Sequence, residues 1–222
     1  MSKKLVLSGV VMAVLLAGCD DPKAANKENF GKAIQEFIGT QPAYCVDLNQ
    51  ISMLKLPEGS PLISPDKVFF LKREGGDPSR TQQVAEVLVG EGLLSKETLQ
   101  ADRLDLSNQP KTENFDVYSL TEKGKPFVYL APKGKTPKQL DKLCTGTFKL
   151  KEVTNFTEPS EAMGMKVSRA SFSFELMDVA SWAENPELKK LVKSFNRDPN
   201  GMVGRADLVL MNDGWKHSRL AK

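Results

Sequence analysis

The sequence predicts an α+β fold: a helix-rich first part over residues 29–131, then a small antiparallel sheet with one packed helix over residues 144–220. Three observations predict it. Between Asn29 and Thr40, Phe30, Ala33, Ile34, Phe37 and Ile38 recur at the spacing of one buried helix face. Phe148 and Leu150, and later Phe172, Phe174 and Leu176, alternate with polar residues at the period of a half-buried strand. Asp213-Gly214 stands between the apolar run Ala206–Met211 and the segment Trp215–Leu220, a strong hairpin signal.

Taken in order, the first helix ends at Gly39, and the proline-rich stretch from Pro42 to Pro65 is expected as extended or irregular chain. Val68–Leu71 is a short strand. Asp77-Pro78-Ser79 is a helix start, with a cap residue followed by proline at the first helical position. Val84, Val87 and Leu88 form the apolar face of that helix, Gly90-Glu91-Gly92 ends it, and a second short helix or turn follows Ser95. Phe127–Leu130 is a further strand. In the second half the order is β-β-α-β-β. Asn185-Pro186-Glu187 opens its helix, with Leu188, Leu191, Val192 and Phe195 on one face, and Ser181 with Glu184 offers a competing start. The helix is expected to pack on one face of the sheet.

The segment that ends in Glu91-Gly92-Leu93-Leu94 and resumes at Tyr118-Ser119-Leu120-Thr121-Glu122-Lys123-Gly124-Lys125 resembles winged-helix modules, where this pattern lies between the last helix and the wing. The resemblance covers about residues 78–131 and implies a winged-helix-like first part. Winged helices of the cytoplasm usually bind duplex DNA. An exported chain meets none, so Lys123, Lys125, Lys133 and Lys135 are expected as the solvated face of a loop and no nucleic-acid partner is expected.

Export is indicated by the first nineteen residues. Lys3 and Lys4 precede an apolar run from Leu5 to Ala17, which is too short for the roughly 20 residues of a membrane-crossing helix. The run exits through Leu16-Ala17-Gly18-Cys19, which resembles the lipobox of bacterial lipoproteins. The resemblance implies cleavage of residues 1–18, a diacylglycerol thioether on Cys19 and an acylated new amino terminus. Several acyl chains give durable anchoring where one alone is marginal. Asp20 and Asp21 resemble the signal that retains lipoproteins in the inner membrane of enteric bacteria, so a periplasm-facing protein of the inner rather than the outer membrane is expected. Residues 19–28 are expected as a polar tether.

The broader set of Leu16–Cys19, Cys45, Gly92-Leu93-Leu94, Tyr118-x-Leu-Thr-x-x-Gly, Cys144-x-Gly, Trp182-Ala183 and Asn212-Asp213-Gly214-Trp215 is similar to a group of uncharacterised proteobacterial lipoproteins. That likeness implies no activity.

Composition bounds the rest. The formal charge is +3, or about +1 without Lys3 and Lys4, with no basic stripe for phosphate-rich partners. With Cys19 taken by lipid, Cys45 and Cys144 form an even pair in an oxidising compartment. A bridge between them would close a loop of about 100 residues, a stabilisation of about 4–5 kcal/mol on the chain-entropy model. Two unpaired buried thiols are the alternative.

No concentrated chemistry is legible. His217 is the sole histidine and no Gly-x-Ser-x-Gly elbow precedes it. No His/Cys cluster has zinc spacing, Asp198-Pro199-Asn200-Gly201 lacks the rest of a calcium loop, and Glu74-Gly75-Gly76-Asp77 lacks the Gly-Lys-Ser/Thr ending of a phosphate loop. Glu158 and Glu161 are not separable from ordinary surface charge. No catalytic residue, metal ligand or cofactor site is assigned. Trp182 and Trp215 are the candidates for a ligand or partner groove, with core packing as the alternative.

The expectation is therefore a non-enzymatic, lipid-anchored protein that contacts an envelope partner, as an accessory, assembly or inhibitory factor. The proline-rich segment 57–66 and the lysine-rich loop 132–138 are its candidate contact surfaces. The second expectation is a module for a small molecule or lipid, with a pocket between sheet and helix near Trp182 and Trp215.

Overall fold

The computed structural model describes residues 21–48, 54–72, 75–129, 139–162, 164–196, 198 and 201–221. Cys19, Asp20 and the lysine-rich loop 132–138 lie outside the described residues. The elements are α1 (Lys27–Ile38), β1 (Pro42–Asp47), β2 (Lys67–Leu71), α2 (Arg80–Gly90), β3 (Leu94–Leu104), β4 (Pro110–Leu120), β5 (Lys142–Phe156), β6 (Ser160–Ala162), β7 (Met165–Met177), α3 (Pro186–Leu191), β8 (Met202–Met211) and β9 (Gly214–His217). Single 3-10 turns lie at Lys125–Phe127, Ser181–Glu184 and Lys193–Asn196.

Among the described residues, two antiparallel sheets form. One runs β1-β5-β7-β8-β9, with β6 beside the start of β7, and the other runs β2-β4-β3. The larger sheet curls around α1. Two register shifts in β5, between Leu150 and Glu152 and between Val153 and Asn155, bend that strand. Gln35 of α1 fits the first of them: its Oε1 accepts a hydrogen bond from the Leu150 amide at 2.7 Å, and its Nε2 donates to the Phe148 carbonyl. Asn26 caps the helix, accepting from the Asn29 amide at 2.8 Å. Phe30, Ala33, Ile34 and Ile38 then fill the concave face with Val153, Ala170, Phe172, Ala206, Leu208 and Trp215.

The smaller sheet is covered on both faces. Val68, Phe70 and Tyr118 face α2, whereas Phe69, Phe115, Val117 and Ala101 face Leu62 and the segment carrying Leu54 and Leu56. The core under α2 does not stop at this sheet. Tyr44, Val46 and Leu143 of the larger sheet enter it, with Trp182, Leu188 and Phe195 from the chain between β7 and β8.

The winged-helix-like first part is not formed, and strand predominates. Where a second short helix or turn was expected after Ser95, β3 and β4 form an eleven-pair hairpin ladder from Leu94↔Leu120 to Leu104↔Pro110. Lys96, Glu97, Leu99, Gln100 and Ala101 favour helix locally, and pairing with β4 overrides that weak preference. The Leu-Thr-x-x-Gly string is instead a clasp. Thr121 donates from its amide and its Oγ1 to the Leu93 carbonyl, and Oγ1 also lies 2.7 Å from the Gly92 carbonyl. The end it holds is a Schellman turn, with Gly92 at φ +73° and the Leu93 amide bonded to the Leu88 carbonyl.

Other expectations shift. Phe127 ends a 3-10 turn rather than opening a strand, and Ser79, not Asp77, caps α2. Residues 42–47 form a strand, with Pro42 as its first residue, where proline costs no ladder bond. The helix covering the larger sheet is α1. The expected helix, α3, packs on α2 instead, where Asn185 Nδ2 donates to Glu91 Oε1 at 2.6 Å.

A disulfide joins Cys45 to Cys144, which are directly opposed on β1 and β5.

Candidate functional site

The β3–β4 hairpin is longer than the sheet that supports it. β2 pairs with Phe115–Ser119 only, so from Asn114 outwards β3 is the sole strand partner of β4 among the described residues. Leu99 and Ala101 seat one face of this arm on Leu54 and Leu56, and Leu104 bonds to Lys55. Along the arm, Glu113 accepts from Lys111 at 2.7 Å and from Arg103 at 3.2 Å, and the Lys111 bond, then the Arg103 bond, hold its carboxyl below the usual range. Thr112 donates to Asp102 at 2.6 Å.

The tip is braced from within. Asp105 Oδ1 accepts from the amides of Ser107 and Gln109 at 2.8 and 2.9 Å, and Asn108 takes a left-handed conformation at φ +58°. Lys55 Nζ reaches Asn108 Oδ1 at 3.3 Å. On this turn Leu106 is fully exposed. Its apolar side chain touches no core, yet the backbone beneath it is fixed. The cluster Asp105-Leu106-Ser107-Asn108-Gln109-Pro110 marks a turn in the sequence, but not that its one leucine is held out of the core.

A charged network stands at the other end of the hairpin, under α2. Tyr118, fully buried, donates to Glu86 Oε1 at 2.6 Å, and Lys96 donates to the same oxygen at 2.5 Å. Lys96 also lies 3.4 Å from Asp116 Oδ2, while Thr98 and Gln82 donate to the two Asp116 oxygens. Burial, and then the bond to Glu86, raise the Tyr118 hydroxyl to about 12. The Glu86 bond also raises Lys96 above its ordinary value. Both groups therefore keep their protons at neutral pH, far from the range that suits proton transfer there. The network fastens α2 to β3 and β4.

The two tryptophans do not share a groove. Trp182 packs with Phe127 and Phe195 in the core under α2, and its Nε1 has no hydrogen-bond partner among the described residues. Trp215 packs edge-on against Phe30 in the core under α1, and its Nε1 donates to the Lys23 carbonyl at 3.1 Å. Both indoles are buried, Trp182 on the 3-10 turn Ser181–Glu184 and Trp215 on β9, and the space expected for a ligand near Trp215 is filled by α1. An open groove of about 500 Å³ lies elsewhere, lined by Glu158, Ser160, Val167, Arg169, Asp207 and Val209 among others. Two of its lining residues, Arg169 and Asp207, form an ion pair at 2.7 Å.

Of the remaining candidates, Leu62 in the proline-rich segment is buried, which leaves Ile63 exposed beside it. Asp21 is exposed, and its carbonyl accepts from Asn29 Nδ2 at 2.8 Å. His217 is buried and stacked on Phe37. Among the described residues, no three His, Cys, Asp or Glu side chains converge as metal ligands, and no helix is long and apolar enough to cross a membrane. No family model matches the chain, and no curated protein or solved structure matches it either.

Proposed function

We propose that this chain is a lipid-anchored bacterial envelope protein, attached through Cys19 and facing the periplasm, that acts without catalysis by contact with another protein. Inner-membrane retention through Asp20 and Asp21 belongs to this reading, as does a role in assembly, as an accessory or as an inhibitor. The observation that carries it is the β3–β4 arm, which presents Leu106 fully exposed on a turn braced by Asp105. An apolar side chain on a fixed backbone loses little entropy on being buried by a partner, which favours a contact residue. β3 is the edge strand of its sheet, and among the described residues its outer side is bridged near the tip by Lys55 at Leu104. The packing of α1 into the curled sheet supports contact over ligand capture, because Phe30, Ile34, Phe172 and Trp215 occupy the interior.

The test is photo-crosslinking in cells with a photoreactive residue at exposed position 107, beside an intact Leu106, compared with one at exposed Val203. One dominant envelope protein attached at 107 and lost with Leu106→Glu is the expected result. Leu106→Glu should leave stability within about 0.5 kcal/mol, since the side chain makes no core contact. Equal labelling from both positions, or capture that survives Leu106→Glu, would remove the arm from the reading.

A further inference from the structure

The chain ahead of α1 is held to the body from Asp21 on. The Lys23 amide donates to Asp21 Oδ1 and the Ala24 amide to the Asp21 carbonyl. Asn29 Nδ2 donates to the carbonyls of Asp21 and Ala24 at 2.8 and 2.9 Å, so one buried side chain closes both ends of the turn. Trp215 Nε1 holds the Lys23 carbonyl, and Ala25 packs into the core of α1 and the curled sheet. Pro22 rests on Gly214. At φ +129° this position suits glycine, and a Cβ there would lie 2.9 Å from the Pro22 carbonyl oxygen.

Only Asp20 separates this docked segment from Cys19. Two Cα–Cα steps of 3.80 Å place Asp21 within about 8 Å of the cysteine Cα. The polar layer on each side of a bilayer is about 5–8 Å deep. A lipid chain on Cys19 therefore leaves the body no room to hang away from the surface.

We propose that the Asn212–Asp213 turn between β8 and β9, together with the first turn of α1, lies against the headgroup layer of a phospholipid bilayer in one fixed orientation. This rests on the lipid-anchor reading above. The occupant is the membrane surface because the length of chain between Cys19 and Asp21 dictates it. Charge does not. Asp21, Lys23, Lys27, Glu28 and Asp213 are mixed in sign, Glu28 is paired with Lys32, and Asp213 lies 3.7 Å from Lys216. The contact should accordingly form on zwitterionic phosphatidylcholine and persist in salt.

The test uses the full lipidated protein in phosphatidylcholine vesicles doped with nickel-chelating lipid. Spin labels are placed at Asp213→Cys or Val203→Cys, with Cys45 and Cys144 held in their disulfide. Both positions are exposed, and β8 separates them by about 25–30 Å along the strand. Accessibility to lipid-bound nickel should be several-fold higher at 213 than at 203. Eight Gly/Ser residues inserted between Asp20 and Asp21 should abolish the difference. Vesicle-bound protein with equal accessibility at both positions overturns the docked orientation and leaves the anchor reading intact. Protein that carries no diacylglycerol on Cys19 and does not float with vesicles overturns both.

Discussion

His217 shows how its surroundings decide what the sole histidine of the chain does. Its ring stacks on Phe37 with centroids 3.8 Å apart, and its Nδ1 accepts from the Arg219 amide at 3.2 Å. Burial, reinforced by the charge of Arg219 and opposed by Asp207, pushes its pKa below the usual 6.5. The unfolded chain therefore takes up this proton at a higher pH than the folded one. Its contribution to stability is complete above about pH 6.5 and is lost as pH falls from there towards the folded value. Thermal melts should show a falling Tm between pH 7 and 5, and His217→Phe, which keeps a ring against Phe37, should flatten that slope. Equal slopes in the two proteins would show that this imidazole does not govern the response.

Among elements, the clasp between α2 and β4 explains a sequence string that has no counterpart in the global fold. Gly124 sits so close to the end of α2 that a Cβ on it would lie 2.3 Å from the Leu93 carbonyl oxygen, a backbone atom that cannot swing away. Gly124→Ala should cost about 1–3 kcal/mol, the range of an overpacked core, read as a lower urea midpoint with an unchanged m-value. A midpoint shift under 0.5 kcal/mol would mean that the clasp yields. The same element shows which features were legible. α1, β5 and β7 announce themselves because each buries one face and so stamps a period on the sequence, and the β8–β9 hairpin does so through the Asp213-Gly214 turn after an apolar run. β3 buries little of its length and is held by its ladder to β4, so its residues carry no such period. β1 is short and lies among prolines, and what makes it a strand is β5, nearly a hundred residues away. Leu106 escaped for a related reason, since exposure on a braced turn depends on hydrogen bonds that no spacing reveals. The two tryptophans were visible as residues, but their separation into two cores follows from the path of the whole chain.

At the scale of the molecule, the decisive feature is that the core under α2 belongs to both sheets. β1 is the joint: Cys45 is bonded to Cys144 on β5, while Tyr44 and Val46 enter the same core as Val68, Leu88 and Tyr118. Separate unfolding of either sheet would strip apolar surface from the other, so the body should melt as one unit. The tryptophans supply independent probes, because Trp182 lies in the shared core and Trp215 in the core under α1. In Trp182→Phe the remaining fluorescence reports the α1 core, and in Trp215→Phe it reports the shared core. Within each variant, fluorescence and far-UV circular dichroism should give coincident urea transitions. Midpoints that separate would divide the molecule into two cooperative units. Replacing both Cys45 and Cys144 with serine lengthens the free chain of the unfolded state by a loop spanning 99 residues, and should lower stability by up to about 4–5 kcal/mol. The transition should stay single, because Tyr44 and Val46 still tie β1 into the shared core when the covalent bond is gone.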